Sequence, residues 1–225
     1  QFVKHRGLPW KDKIHEILGE NDLVIGNLES PLVEESKTLK KTFFGERSFA
    51  EFLSNCGINI LNIANNHILE QGSIGFESTI KAIEKANLNV IGNVENNKSK
   101  IVIKEVKGFK IALAGFSNVD LKKIKNDNHF AVLTENNVLE TIEQMKQLNA
   151  NLIILSLHWG NEYIQIPSYQ QRKMAYKFID AGVDIIAGHH PHVIQPHEEY
   201  KGKHIFYSLG NFLFDYIQSK QFGLG

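Results

Sequence analysis

The sequence predicts an α/β domain with mixed sheets, and three observations carry that prediction. Apolar runs of strand length recur along the 225 residues, with helical patterns between them. One pair of runs, 101–106 and 110–116, is joined by Lys107-Gly108-Phe109 and reads as a hairpin, so the sheet is not purely parallel. Chemically capable side chains fall just past the ends of several runs instead of being scattered.

In chain order, strands are expected at 22–26, 58–64, 88–91, 101–106, 110–116, 151–157, 183–187 and 204–208, each an apolar run bounded by turn residues. A helix opens at Ser73, with Ile74, Ile80, Ile83 and Ala86 spaced for one buried face. Two more helices are expected over 136–148 and 168–181, the second turning Tyr169, Met174, Phe178 and Ile179 inward. The stretches 36–41 and 95–100 read as polar loops. With no internal repeat and no Pro/Ser-rich linker, residues 1–225 form a single domain.

Hydrophobic residues make up 42% and charged residues 22%, the balance of an ordinary globular chain. Lys plus Arg and Asp plus Glu stand at 25 each, so there is no electrostatic reason to expect nucleic acid or an anionic membrane surface. Cys56 is the single cysteine, which excludes an intrachain disulfide, and it reads as a small buried residue in the turn before Gly57. That usage fits the cytosol and the surface of a bacterium poor in disulfides alike. No run approaches the roughly 18 apolar residues of a membrane span, and no signal peptide opens the chain. Gln1 is not an initiator methionine, so a leader or anchor removed beforehand is compatible with the sequence.

The densest chemistry is Gly188-His189-His190-Pro191-His192, three histidines in four residues directly after the apolar run 183–187. Neutral imidazole is the commonest protein ligand for zinc, manganese, iron and nickel, so the cluster asks for further ligands. Pro191 stiffens the interval, and from extended backbone His190 and His192 point the same way, toward one metal or two neighbouring ones. His189 is a third ligand or a wall of the site. Other strand ends supply partners, and in α/β sheets ligands gather outside the carboxyl ends of strands.

Each of those partners has two readings. His158, at the end of 151–157, is a metal ligand or a hydrogen-bonded structural histidine, and Trp159 beside it reads as packing or a pocket wall. Asn65-Asn66 is a turn device, or Asn66 offers its amide oxygen to a metal while His67 transfers protons or contacts phosphate. Glu70 is a helix-capping acid or the carboxylate that orients the His67 imidazole. Glu29, near Asn27 and before Pro31, belongs to a plain turn or bridges two metals through its two oxygens. Asn211 sits in a turn with Gly210, or donates a hydrogen bond to a substrate oxygen or a ligand histidine. His5, His15, His129, His197 and His204 have no comparable context and read as ordinary histidines. Nucleophile-elbow, dinucleotide-binding and Walker signatures are absent, so any phosphate handling falls to metals.

Taken together, the stretches 22–31, 63–72, 156–162, 188–196 and 205–214 resemble the bacterial capsule-synthesis CapA family, also called the poly-γ-glutamate biosynthesis protein family. The family's phrases are of the type N-L-E, A-N-N-H-x-x-D-x-G, H-W-G-x-E-Y, G-H-H-P-H and Y-S-L-G-N-F, and their order and spacing run over essentially the whole chain. That family is similar to calcineurin-like metallophosphoesterases. The resemblance implies a four-layered α/β/β/α sandwich and two divalent metal ions (Mn, Zn or Fe). It implies Glu29, Asn66, His158, His190 and His192 as ligands, and His67 as the catalytic imidazole. Glu70 stands where the family usually has Asp, a longer arm of the same charge. The family's opening strand ends in Gly-Asp, whose Asp is a ligand, and this chain starts past that point. One metal is therefore expected to lose a ligand, and the C-terminal edge of the sheet is expected to be incomplete after Gly225.

Two hypotheses follow. In the first, the chain is a phosphoesterase-like hydrolase with a dinuclear metal site, His67 and Glu70 serving catalysis and Asn27, His189 and Asn211 meeting the substrate. In the second, it is a non-catalytic accessory protein that binds, exports or anchors an anionic surface polymer. The family setting implies capsule or poly-γ-glutamate assembly for both. It also implies a cell-surface or membrane-anchored location, and a phosphoester or anionic polymer as ligand. Membrane-bound capsule-synthesis proteins are the implied partners, and nucleic acid is not among them.

Overall fold

The computed structural model describes residues 2–3, 11–34, 43–96, 98–120 and 129–214. The polar stretch 36–41 and His5 lie outside these residues. Elements follow in the order β1 (Phe2–Val3), α1 (Lys11–Leu18), β2 (Ile25–Asn27), β3 (Leu32–Val33), β4 (Phe44–Glu46), α2 (Ser48–Asn55), β5 (Ile60–Asn62) and α3 (Gly72–Lys85). Next come β6 (Asn89–Ile91), β7 (Val94–Glu95), β8 (Lys98–Ser99), β9 (Val102–Val106), β10 (Phe109–Ser117), α4 (Glu135–Gln147) and β11 (Leu152–His158). The chain closes with α5 (Tyr169–Ala181), β12 (Ile185–His189), β13 (His197–Tyr200) and β14 (Lys203–Phe206).

Two sheets matter for the site. The larger has the order β13-β14-β12-β11-β10-β9, with β10, β11, β12 and β14 parallel and both edges antiparallel. The smaller, β2-β5-β6, is parallel throughout. The expected hairpin is the β9–β10 pair, with Phe109 opposite Val106.

Strand alternation converts this topology into layers. On β10, Ala112, Ala114 and Phe116 pack with Val138, Ile142 and Met145 of α4 and Phe178 of α5. The intervening Ile111 and Leu113 join Ile154 of β11 with Ile60 and Ile91 of the smaller sheet. That smaller sheet turns Leu61 and Val90 the other way, against Phe52 and Leu53 of α2 and Phe76 and Ile83 of α3. Three separate apolar clusters therefore lie between four layers, helix, sheet, sheet and helix, as expected.

The helices carry the predicted caps and some different faces. Ser168 and Gln171 form a capping box at the start of α5, and Gly182 ends it at φ +117°. Thr134 caps α4 by accepting from Asn137 N–H at 3.2 Å. In α3 the buried stripe is Phe76, Thr79 and Ile83, and Ile74 is 84% exposed, contrary to the sequence reading. Tyr169 is likewise 74% exposed, because it opens α5 on the solvent side before Ala175, Phe178 and Ile179 reach the core. The first predicted strand begins late, at Ile25, because the Asn59 side chain takes the Val24 N–H at 2.6 Å in place of a ladder partner. The stretch expected as a polar loop at 95–100 instead carries β8 and the end of β7, an antiparallel pair with Val94 opposite Ser99. Among the described residues, no helix is long and apolar enough to cross a membrane.

Candidate metal centre

The parallel strands of both sheets release their loops at one end of the molecule. β2 ends at Asn27 opposite Asn62 of β5, and β11 ends at His158 opposite His189 of β12. Short polar ties fix the loops that follow. The Leu28 N–H donates to Asn62 O at 2.9 Å, and Asn65 Nδ2 donates to Leu28 O at 2.8 Å. Asn65 Oδ1 also accepts from the His67 N–H at 3.2 Å, so the turn reading of Asn65 holds and its neighbours are aimed by it.

Glu29 is the hub. Its Oε1 lies 3.4 Å from His158 Nε2, 3.6 Å from His192 Nε2 and 4.0 Å from His67 Nε2. Its Oε2 accepts from Asn27 Nδ2 at 3.2 Å. Burial disfavours the Glu29 charge, but His158, followed by His192 and His67, outweighs it and holds the carboxyl at about 2. Glu29 is therefore an anion at neutral pH.

Around this hub, Asn66 Oδ1 lies 2.9 Å from His158 Nε2, and the His158 and His190 rings are 5.0 Å apart. His192 Nδ1 faces Asn211 Oδ1 at 2.8 Å, so Asn211 meets a histidine through its amide oxygen, as acceptor and not as the expected donor. That contact leaves Nε2 as the atom turned to Glu29. His67 Nδ1 faces Glu70 Oε1 at 2.5 Å, and Glu70 Oε2 accepts from the Phe43 N–H at 2.7 Å. The structure thus gathers Glu29, Asn66, His67, Glu70, His158, His190, His192, Asn27 and Asn211 at one place. His189 ends β12 beside them, its imidazole pushed down to about 4 by burial and then by His158.

The sequence reading placed His190 and His192 on extended backbone, and the structure corrects it. His190 has φ +97° and His192 φ +58°, the left-handed region that L-residues rarely occupy. Tertiary ties hold it there: the Leu209 N–H donates to Gly188 O at 3.0 Å, and the Tyr163 N–H donates to Pro191 O at 2.8 Å. Trp159 is 1% exposed and donates from Nε1 to Tyr207 O at 2.9 Å, a packing residue as expected. Cys56 is fully buried at the end of α2. His197 and His204 lie on β13 and β14 and face each other at 3.1 Å.

The donor set fits divalent cations. Glu29 Oε1, His158 Nδ1 and His190 Nδ1 are buried without a hydrogen-bond partner among the described residues. Burial, then His158, holds His190 at about 4, so it is neutral and able to ligate at pH 7. Ligand atoms of Glu29, His158 and His190 all lie within 4.8 Å of one another, as do those of Glu162, His190 and His192. Imidazole, carboxylate and amide oxygen together suit zinc, manganese or iron. Glu162 is the acidic residue of the H-W-G-x-E-Y phrase, but the sequence reading gave it no role, and that phrase was the signal that could have found it.

A family model described as "Bacterial capsule synthesis protein PGA_cap" matches residues 6–216. The chain belongs to this family. Capsule biosynthesis protein CapA of Bacillus anthracis is 37% identical over 212 residues, covering 88% of this chain and 52% of that protein. PGA biosynthesis protein CapA of Bacillus subtilis (strain 168) is 35% identical over 212 residues, covering 90% and 56%. The chain spans about half the length of the curated relatives it matches. Among solved structures, Haemophilus influenzae NAD nucleotidase matches with a TM-score of 0.53 at 16% identity, over 86% of this chain and 38% of that one. That likeness shows the fold alone, a layered α/β sandwich.

Proposed function

We propose that this PGA_cap domain binds two divalent cations and hydrolyses a phosphoester during assembly of a capsule-type polymer. The observation that carries the reading is Glu29: an ionised, partly buried carboxylate whose buried Oε1 has the Nε2 atoms of three histidines within 4.0 Å. Glu29, Asn66, His158 and His190 would hold one cation, and Glu29 with His192 would reach the other. When bound, such cations polarise a phosphoryl oxygen and lower the pKa of a water molecule.

The remaining residues orient groups and handle a proton. Asn27 fixes the Glu29 carboxylate through Oε2, and Asn211 keeps the Nδ1 side of His192 engaged. The Glu70 carboxylate accepts from Nδ1–H of His67 and so leaves Nε2, on the Glu29 side, as the nitrogen that exchanges a proton with a reacting oxygen. His189 stays neutral beside the centre and forms part of its wall. The names of the Bacillus relatives support capsule or poly-γ-glutamate assembly as the setting. A cell-surface location and membrane-bound capsule-synthesis proteins as partners belong to the same proposal and rest on the family resemblance alone.

The test is metal content by elemental analysis after loading with manganese, zinc or iron, followed by turnover of a panel of phosphomonoesters and phosphodiesters. About two metals per chain and turnover abolished by His67→Ala are the expected results. Metal binding with no turnover on any phosphoester would instead support the accessory, polymer-binding role. A chain that takes up no metal would remove the centre altogether.

A further inference from the structure

Glu162 lies in the turn after β11, and the fold goes to some length to put it there. Gly160 at φ +87° and Tyr163 at φ +61° both take left-handed backbone, so the chain reverses sharply within four residues. The turn is tied at both ends to the histidine segment. The Trp159 N–H donates to His189 O at 3.1 Å, and the Tyr163 N–H donates to Pro191 O at 2.8 Å. The Tyr163 ring lies 6.1 Å from that of His192.

The consequence is a second trio of donors. Ligand atoms of Glu162, His190 and His192 fall within 4.8 Å of one another, and His190 is shared with the trio of Glu29 and His158. His190 thus stands between two cation positions. Charge argues in the same direction. The cation on the His158 side has Glu29, Asn66 and two histidines for donors, and the cation on the His192 side must share the Glu29 carboxylate. Two dications sharing the Glu29 carboxylate favour a further anionic donor in this partly desolvated place.

Resting on the two-cation reading above, we propose that Glu162 is a metal ligand, completing the position on the His192 side. Its carboxylate is exposed, so it closes that position from the solvent face and makes the cation there the more readily exchanged of the two. With His190 serving the His158 side, the other cation has His192, Glu162 and a share of Glu29, an imidazole and carboxylate set that suits manganese, iron or zinc.

The experiment is titration of the metal-free chain with manganese or zinc by calorimetry, with metal content measured in parallel, for the wild type, Glu162→Gln and Glu29→Gln. In Glu162→Gln, one cation should bind as in the wild type and the other about tenfold or more weaker, since loss of even an outer partner of a ligand costs that much. Glu29→Gln should weaken both. An unchanged thermal midpoint of the metal-free Glu162→Gln chain will show that the loss is not unfolding. If Glu162→Gln titrates like the wild type and Glu29→Gln does not, Glu162 is not a ligand and the two-cation reading stands. If neither variant differs from the wild type, the two-cation reading falls and the role of Glu162 falls with it.

Discussion

Asn62 and Ser156 join the two sheets through a hydrogen bond of 3.1 Å from Nδ2 to Oγ, in a layer otherwise filled by Ile60, Ile91, Leu113 and Ile154. The amide is fully buried, and its Oδ1 also accepts from the Ala64 N–H at 3.0 Å. This polar link sits directly beneath the candidate metal centre, because Asn62 ends β5 and Ser156 is two residues before His158. It can exist only where the neighbouring strands carry no side chain.

Gly115 provides that space. A Cβ there would lie 2.2 Å from Asn62 Oδ1, and one at Gly92 would lie 2.4 Å from the same atom. Gly115→Ala should therefore cost about 1–3 kcal/mol in urea denaturation, the range of overpacked cores. Combined with Asn62→Ala, which removes the obstructing amide, the losses should be clearly less than additive. Additive losses would mean that the two positions do not meet in this way.

That link also shows what the sequence could and could not reveal. The centre was legible because its residues follow strands, and a strand end fixes backbone: Glu29, Asn66, His158 and His190 each lie within four residues of one. Asn62 was hidden inside an apolar run, where nothing local distinguishes an inter-sheet amide from a core residue. The left-handed φ at His190 and His192 was hidden as well, since it is imposed by ties to 163 and 209, far away in sequence. Ile74 and Tyr169 misled because one apolar residue at helical spacing fits the edge of a buried stripe as easily as its middle. The strands β3, β4 and β13 are too short to show a period.

Glu198 accepts from Tyr176 Oη at 2.5 Å and from Tyr207 Oη at 2.9 Å, pinning α5 to the larger sheet. Burial, then the Glu198 hydrogen bond and charge, push the Tyr207 phenol above its usual range, and the Glu198 hydrogen bond raises Tyr176 too. Below the unfolded value of about 10 both phenols are neutral in either state, so this contribution to stability is complete there. Above it the unfolded chain releases protons that the folded chain retains, and stability falls as pH rises. The urea midpoint should decline above about pH 10, and less steeply in Tyr207→Phe. Parallel declines in the two proteins would exclude Tyr207 as a source.

Glu70→Gln tests the proton relay apart from the metals. The substitution keeps the shape that meets the Phe43 N–H and removes the charge facing His67 Nδ1. Turnover should fall about 10–100-fold with metal content unchanged, because Glu70 is not proposed as a ligand. His67→Ala should do more, about 100–10,000-fold. Loss of metal from Glu70→Gln would show that the carboxylate shapes the centre itself rather than the imidazole.

Gly188 couples the fold to the centre most directly. It precedes the histidines on β12, and a Cβ there would lie 2.0 Å from Tyr207 O and 2.7 Å from Trp159 Nε1. Those two atoms are themselves bonded at 2.9 Å, so any side chain at 188 must break that bond or push β12 away from the chain beyond β14. Either movement shifts His189 and His190 together, since the Trp159 N–H is anchored on His189 O. Gly188→Ala should thus lose stability by about 3 kcal/mol or more and lose metal as well. Trp159→Phe removes the same hydrogen bond without crowding the backbone. It should cost only about 1 kcal/mol and leave metal content intact. Metal retained by Gly188→Ala at wild-type affinity would show that the histidine segment holds its left-handed shape without this contact.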